Sequence, residues 1–186
     1  MDIVYRAAQT DADFEQILSL QRTNHYTAIS QEILDREGFV YAEHTLEQLK
    51  TMAEHSPQII ALAGEKVVGY TLSMTSAMKD HISSLTPMFE QFDECIYKGK
   101  PLHDHPFVVG GQVCVAEGFR GMGVFAGLYH ALAEQVNDKY RICVTEIARR
   151  NPRSLRAHQK MGFEVIRIYS VQGETWDIVA WDITQR

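Results

Sequence analysis

The sequence has few cysteines, few prolines and no long apolar run. Of 186 residues, 3 are cysteine and 5 are proline. Cys95, Cys114 and Cys143 form no CxxC pair, so buried free thiols are expected instead of disulfides. No apolar run approaches the roughly 20 residues that a membrane-spanning helix needs. The N-terminus lacks the charged and then apolar plan of a signal peptide, so a cytoplasmic protein is predicted.

Positive charge is also scarce. The chain has 18 lysines and arginines against 24 acidic residues, which gives a formal net charge of −6. Proteins that bind nucleic acid need basic patches to displace counterions from phosphate, so nucleic acid is not an expected partner. The acidic balance mildly favours a cationic ligand such as an amine. The length fits one domain with a core large enough to need no metal or disulfide.

Hydrophobic periodicity predicts a mixed α/β domain whose last two strands are antiparallel. The predicted strands are 2–8, a hairpin over 58–75, 106–115, 141–148, 164–171 and 174–183. The predicted helices are 10–25, 45–56, 123–137 and 151–163, with a further short helix within 85–97.

Two of the helices carry clear start or stop signals. Thr45 and Gln48 have the spacing of a capping box. Asn151 suits the N-cap of the helix that follows, Pro152 its first position, and Gly162 the residue after its end. These signals predict where the two helices begin and where the second one ends.

The stretch VCVAEGFRGMGVFAGLY, residues 113–129, places four glycines between an apolar run and a helical pattern. Glycines in such a place indicate a turn or a ligand close to the backbone. A phosphate-binding P-loop is excluded, because Val124 and Phe125 stand where that motif has lysine and then serine or threonine.

A dinucleotide-binding fingerprint is a closer match. Gly121, Gly123 and Ala126 fit G-x-G-x-x-G/A, and Glu146 follows about 20 residues later. Five residues separate Val115 from the first of these glycines, whereas the fingerprint follows its strand almost at once. Only 40 residues remain after the glutamate, too few for the further βαβ units of a dinucleotide fold. This interpretation is therefore disfavoured.

Arg120 gives the glycines a third interpretation. The segment RGMGVF resembles motif A of the GNAT superfamily of acyl-CoA-dependent N-acyltransferases, [Q/R]-x-x-G-x-[G/A], although Phe125 departs from its small last residue. The resemblance implies that backbone N–H groups at the helix start hold the CoA pyrophosphate, helped by the helix dipole. The implied cofactor-binding residues of this loop are Arg120, Gly121, Met122, Gly123, Val124 and Phe125.

A second segment, TEIARRNPRSLRAHQKMGF, resembles motif B of the same superfamily. Its acid is Glu146, its asparagine Asn151, and His158 stands where the family commonly has tyrosine. The order of elements resembles the GNAT order over nearly the whole chain. The resemblance implies a mixed, mostly antiparallel sheet flanked by helices, with two strands splayed at the acyl-CoA site. It also implies one N-acetyltransferase domain over 1–186.

The segment 76–106 is the part that the resemblance does not cover. It is expected to be an insertion that shapes the acceptor site. Its acidic and aromatic residues would suit a cationic amine. They are Phe89, Phe92, Asp93, Glu94 and Tyr97.

The reaction implied by the resemblance is transfer of an acetyl group from acetyl-CoA to a primary amine by direct attack. The acceptor would be a small molecule or a peptide, with no membrane partner, and a homodimer is left open. The alternative is a CoA-binding or sensory domain with little catalysis. In the family, the strand before motif A pairs with the pantetheine arm and the asparagine contacts CoA. These positions are Val113, Cys114, Val115 and Asn151.

Two residues are candidates for proton transfer. Glu146 lies in an apolar strand, where a charge is costly unless used or paired, and it matches the family base. The alternative is a structural ion pair. His158 replaces the family tyrosine as the acid for the leaving thiolate, since a neutral imidazole still donates one N–H. The alternative is a partly buried helix histidine.

Two further clusters are weaker candidates for a functional site. Four arginines either meet the 3′-phosphate of CoA or are simply solvated, namely Arg149, Arg150, Arg153 and Arg156. The run His103, Asp104 and His105 has no third ligand at convincing spacing, so no metal is expected.

Overall fold

A computed structural model of the protein describes residues 2–36, 38–82 and 85–184. Within these ranges seven strands form one sheet, and each was predicted from its apolar residues. They are β1 (Ile3–Ala7), β2 (Ile59–Ala63), β3 (Lys66–Met74), β6 (Phe107–Val115), β7 (Ile142–Ala148), β8 (Glu164–Val171) and β9 (Glu174–Asp182). A separate ribbon, β4 (Ile96–Tyr97) with β5 (Lys100–Pro101), was not predicted, because two-residue strands carry no alternation.

In the described ranges of the chain, six α-helices accompany the strands. They are α1 (Asp11–Asn24), α2 (Gln31–Arg36), α3 (Leu46–His55), α4 (Thr86–Asp93), α5 (Val124–Val136) and α6 (Pro152–Lys160). The sequence pattern missed α2, which is too short to show a helical period. Every helix that the structure describes is too short or too polar to cross a bilayer.

The predicted helix caps are confirmed. Thr45 and Gln48 form the capping box of α3. The Asn151 side chain accepts from the Ser154 N–H at the start of α6, with Pro152 in the first turn. Gly162, after the end of α6, has a φ of 99°. Local chemistry therefore decides where these helices begin and where α6 ends.

The sheet has the order β1-β2-β3-β6-β7-β9-β8, and only the β6–β7 pair is parallel. This confirms the mixed, mostly antiparallel sheet. The parallel pairing runs only from Phe107↔Ile142 to Val109↔Val144. Beyond it, residues 110–115 of β6 and 145–148 of β7 have no pairing with each other in the described part of the chain. The two strands thus splay apart, as the resemblance implied.

The sheet separates two apolar cores. One lies under α1, α3 and α4 and includes Tyr70 and Val144. The other lies under α5 and includes Val108 and Trp181. Helix α5 comes very close to β1, because a Cβ on Gly127 would overlap the Tyr5 ring. The three cysteines are buried and free, as predicted.

The segment 76–106 folds around α4 and the small ribbon. Phe89, Phe92 and Tyr97 were expected to shape an acceptor pocket, but all three are buried in the first core. Phe92 meets the Phe107 ring edge-to-face at 6.3 Å. The aromatic residues therefore pack the segment onto the sheet. A role of the segment in acceptor binding stays a prediction.

Candidate functional site

A cavity of about 460 Å³ lies beside the end of β6 that does not pair with β7. Three parts of the chain surround it: the segment after α2, the strand and loop before α5, and α6 with its N-cap. The lining residues are Gly38, Phe39, Val40, Val113, Cys114, Val115, Phe119, Arg120, Gly121, Gly123, Phe125, Ala126, Asn151, Arg153, Ser154, Arg156, Ala157, Lys160 and Met161.

Most of the predicted cofactor-binding residues meet at this cavity. Eight of the ten line it: Val113, Cys114, Val115, Arg120, Gly121, Gly123, Phe125 and Asn151. The side chains of the other two lie elsewhere. Met122 is 61% exposed, and Val124 is buried in the core beneath α5. Only the backbone of these two residues is placed to face a ligand in the loop.

Two glycines of the loop owe their identity to backbone conformation. Gly121 and Gly123 have φ angles of 77° and 81°, in the left-handed region that favours glycine. A Cβ on either would meet no neighbouring atom within 4 Å, so packing does not require glycine there. Gly123 is also the N-cap of α5 and has no side chain to cap it. The first N–H groups of α5 are therefore left to an anion.

Phe125, the departure from the motif, turns toward α6. The centroid of its ring lies 5.2 Å from that of Tyr129 and 5.0 Å from that of His158, which it meets edge-to-face. Phe125 lines the cavity and His158 does not. The bulky ring therefore separates the histidine from the cavity.

His158 is 2% exposed, and both of its ring nitrogens are bonded. Nδ1 lies 2.8 Å from the Ser154 carbonyl oxygen, so it carries the proton and donates. Nε2 then accepts from the Tyr129 hydroxyl at 2.8 Å. Burial lowers the pKa of His158 to about 4. A neutral imidazole with both nitrogens engaged has no N–H for a thiolate, which argues against the predicted acid role and favours the buried helix histidine.

A His158→Leu variant separates these two roles. Loss of two hydrogen bonds and an unsatisfied Tyr129 hydroxyl should lower the free energy of unfolding by about 2–3 kcal/mol. Turnover of the folded variant should change far less than the 100-fold or more expected of a general acid. Denaturant unfolding and steady-state kinetics measure the two effects. A large loss of turnover at unchanged stability would restore the acid role.

Glu146 lies on the part of β7 that pairs with β9 but not with β6, two residues beyond the last residue paired with β6. The Tyr169 hydroxyl donates to its Oε2 at 2.5 Å. Burial raises the pKa of Glu146, and this hydrogen bond offsets part of the rise. A buried carboxylate with a raised pKa is a candidate proton acceptor. The sequence did not indicate Tyr169, because it lies on β8 with no motif spacing to the glutamate.

The four arginines expected to form one cluster separate into two pairs. Arg149 pairs with Asp177 at 2.6 Å, and Arg150 pairs with Glu174 at 2.7 Å, so both are tied to β9. Arg153 and Arg156 line the cavity, together with Lys160. The cavity therefore has a cationic side along α6.

Arg120 ties the loop to its surroundings. Its Nε donates to the Val115 carbonyl at 3.1 Å, and a terminal nitrogen donates to Oδ1 of Asn24 at 2.7 Å. The first bond reaches the end of β6 and the second the last residue of α1. The side chain thus holds the glycine loop against the sheet and α1.

The histidines of the run 103–105 serve the local fold. Nε2 of His105 lies 3.0 Å from the Tyr97 carbonyl oxygen, within hydrogen-bond distance. His103 and Asp104 form an exposed pair at 3.8 Å. Among the residues that the structure describes, no group of three or more histidine, cysteine or acidic residues could hold a metal ion.

With this geometry in view, the chain can be compared with known proteins. The model of the Acetyltransferase (GNAT) family matches residues 15–163. No curated protein sequence matches the chain.

Solved structures share its fold. An N-acetyltransferase from Staphylococcus aureus Mu50 superposes with a TM-score of 0.64 at 17% identity, over 98% of this chain and 99% of that one. The putative acetyltransferase yncA from Salmonella typhimurium, solved with acetyl-CoA, has a TM-score of 0.62 at 15% identity, over 99% and 95%. Arabidopsis thaliana NAA60, also in complex with acetyl-CoA, has a TM-score of 0.65 at 16% identity, over 97% and 99%.

Proposed function

The chain belongs to the GNAT acetyltransferase family, and we propose that it transfers an acetyl group from acetyl-CoA to a primary amine of a small molecule or a peptide. The observation that carries this proposal is the placement of Glu146. It stands on the end of β7 that does not pair with β6, across the splay from the end of β6 that lines the cavity. A proton acceptor and a cofactor cavity thus lie on the two sides of one opening.

The residues of the cavity fit CoA. The left-handed glycines leave open space above the loop, and the uncapped start of α5 suits a pyrophosphate. Arg156 and Lys160 on α6 add positive charge for the remaining phosphate. Residues 110–115 pair with β3 on one edge and do not pair with β7 on the other, so that second edge suits an extended arm that adds like a strand. Two of the similar structures were solved with acetyl-CoA.

In this proposal, acetyl-CoA supplies an acyl group activated as a thioester. The amine nitrogen bonds to the carbonyl carbon as the carbon–sulfur bond breaks, and the departing CoA thiolate takes up the proton that the new amide nitrogen loses. Free amines have pKa values of about 10, so at neutral pH the acceptor arrives protonated. Glu146 takes a proton from it, directly or through one water. Tyr169 orients the carboxylate through its 2.5 Å hydrogen bond.

A second candidate is a CoA-binding domain with little catalysis. The burial of His158 favours it, because the position where the family commonly has tyrosine then offers no proton donor to the cavity. Both candidates predict CoA binding, and only the enzyme predicts release of free thiol. Thiol release from acetyl-CoA in the presence of a panel of primary amines therefore decides between them.

Binding itself is tested by thermal unfolding. CoA and acetyl-CoA at about 100 times their Kd should each stabilise the protein by roughly 2.7 kcal/mol. NAD should have no effect, because the glycine loop is not followed by a dinucleotide-binding fold. Stabilisation by NAD alone would contradict the proposed function.

A further inference from the structure

Trp176 lies beside the proposed base. On β9 it pairs with Ala148 of β7 and with Tyr169 of β8, while Glu146 pairs with Ile178. Cross-strand partners point to the same face of a sheet, so the indole and the carboxylate share one face. The small Ala148 leaves room beside the indole at the open end of β7.

Two tyrosines continue the surface that Trp176 begins. Tyr41 meets the indole edge-to-face at 5.2 Å, and Tyr26 stacks on Tyr41 at 5.0 Å with an angle of 15°. Tyr41 is 42% exposed, and the other two rings are half-buried. We call these three residues the aromatic wall. Contiguous aromatic surface that stays exposed marks a binding site more often than a packing defect.

Arg150 supports the aromatic wall. Its guanidinium carbon lies 5.2 Å from the Tyr26 ring centroid and 5.3 Å from that of Tyr41, and Glu174 holds the charge at 2.7 Å. Such cation–π contacts favour one arrangement of the rings. Rings that are already ordered lose little entropy when a ligand binds them. The wall is therefore organised before an acceptor arrives.

Two polar side chains close to the aromatic wall are already bonded within the protein. Glu174 is bound by Arg150, and Tyr169 donates to Glu146. A polyamine needs a further carboxylate, and the one that β9 offers next to the wall is taken. On this face, the rings of Trp176 and Tyr169 adjoin the carboxylate of Glu146.

We propose that the acceptor is a primary amine carried on an aromatic ring, with the amine at Glu146 and the ring against the aromatic wall. This inference rests on the proposed function, because it names the acceptor class of that same site. Aromatic pairs gain attraction beyond the area that they bury, so the wall prefers an aromatic ring to a saturated ring of equal size.

The test is a kinetic comparison of four acceptors by thiol release. They are phenethylamine, its saturated counterpart cyclohexylethylamine, spermidine, and a short peptide with a free N-terminus. Phenethylamine should have the highest kcat/KM, about three- to tenfold above the saturated amine. A higher kcat/KM for spermidine or the peptide, or equal values for the two ring amines, would overturn the aromatic acceptor and leave the proposed function standing.

Substitutions in the aromatic wall test whether these residues bind the ring of the acceptor. Trp176→Leu and Tyr41→Leu should each raise KM for phenethylamine about tenfold, with kcat and the KM of acetyl-CoA nearly unchanged. Tyr140→Leu, a half-buried tyrosine in the core on the other side of the sheet, serves as the matched control. Equal KM values in the wall variants and the control would place the ring elsewhere and contradict the inference.

Binding without turnover separates this inference from the proposed function. The chain has 2 tryptophans, Trp176 and the buried Trp181. Phenethylamine should change the tryptophan fluorescence of the wild type but not that of Trp176→Phe. If no amine releases thiol, the proposed function fails, while this change would still support the ring site. If saturating phenethylamine left the tryptophan fluorescence of the wild type unchanged, the proposed ring site would be overturned.

Discussion

Replacing Glu146 by glutamine is expected to lower kcat by about 100-fold or more, because general bases contribute roughly 100- to 10,000-fold. Glutamine keeps the size of the side chain and an oxygen for the Tyr169 hydroxyl, but it takes no proton from the amine. The Kd of CoA should stay within about twofold, because Glu146 does not line the cavity. Steady-state kinetics and calorimetric titration of CoA measure the two quantities.

The control for this variant is Glu164→Gln. Glu164 is an exposed glutamate on β8, so the substitution removes the same charge without touching the splay. Its kcat should match the wild type. Equal losses in the two variants would trace the effect to net charge, and an unchanged kcat in Glu146→Gln would remove Glu146 from the mechanism.

The pH profile adds a second test of the same residue. Glu146 must be ionised to accept a proton, so kcat/KM falls as the pH drops through its pKa. Burial raises that pKa, so the acid limb should lie at a higher pH than an ordinary glutamate would give. Tyr169→Phe removes a hydrogen bond that stabilises the carboxylate, so it should move the limb to still higher pH. If the acid limb of the kcat/KM profile did not move in Tyr169→Phe, a group other than Glu146 would be responsible for it.

The second large effect is expected from Gly123→Val. A β-branched residue at a φ of 81° costs about 1–3 kcal/mol, so the loop should rotate its N–H groups away from the phosphate. CoA affinity should fall by roughly 10- to 100-fold, since 1.4 kcal/mol is a factor of ten. Calorimetric titration of CoA measures the loss.

The same loop offers a matched control in Gly118→Val. Gly118 has no positive φ, and a Cβ there meets no atom within 4 Å, so the same added volume should cost little. CoA should bind this variant nearly as tightly as it binds the wild type. Equal weakening by both substitutions would mean that bulk, and not the left-handed backbone, governs the loop.

Much of the fold could be predicted from the sequence. Runs or alternation of apolar residues located every strand of the large sheet, and local caps located helix ends such as that at Asn151. Element order and two motifs indicated the family. The short α2 and the two-residue strands could not be predicted, because they are held by contacts with other segments and carry too few residues for a pattern.

For the candidate site, the sequence predicted some residues better than others. The loop residues from Arg120 to Phe125 were identified as a unit, since consecutive residues make the turn. His158 was predicted to be the acid from its position in a motif. A position in a motif does not reveal which residues cover the imidazole ring. In the fold, Phe125 and Tyr129 from a different helix enclose it. Phe89 and Phe92 were misplaced for the same reason, because composition cannot tell a core aromatic from a pocket aromatic.

By itself, the sequence determined the positions of the strands, the helix caps, the glycine turn before α5 and the family, because these follow from neighbouring residues or from short motifs. Only the tertiary structure decided that Glu146 accepts a hydrogen bond from Tyr169 and shares a sheet face with Trp176, and which arginines face the cavity. Those residues come from different strands and helices, and their contacts depend on sheet register and packing. Burial and hydrogen-bond partners, which set the pKa of Glu146 and of His158, arise only when distant segments come together.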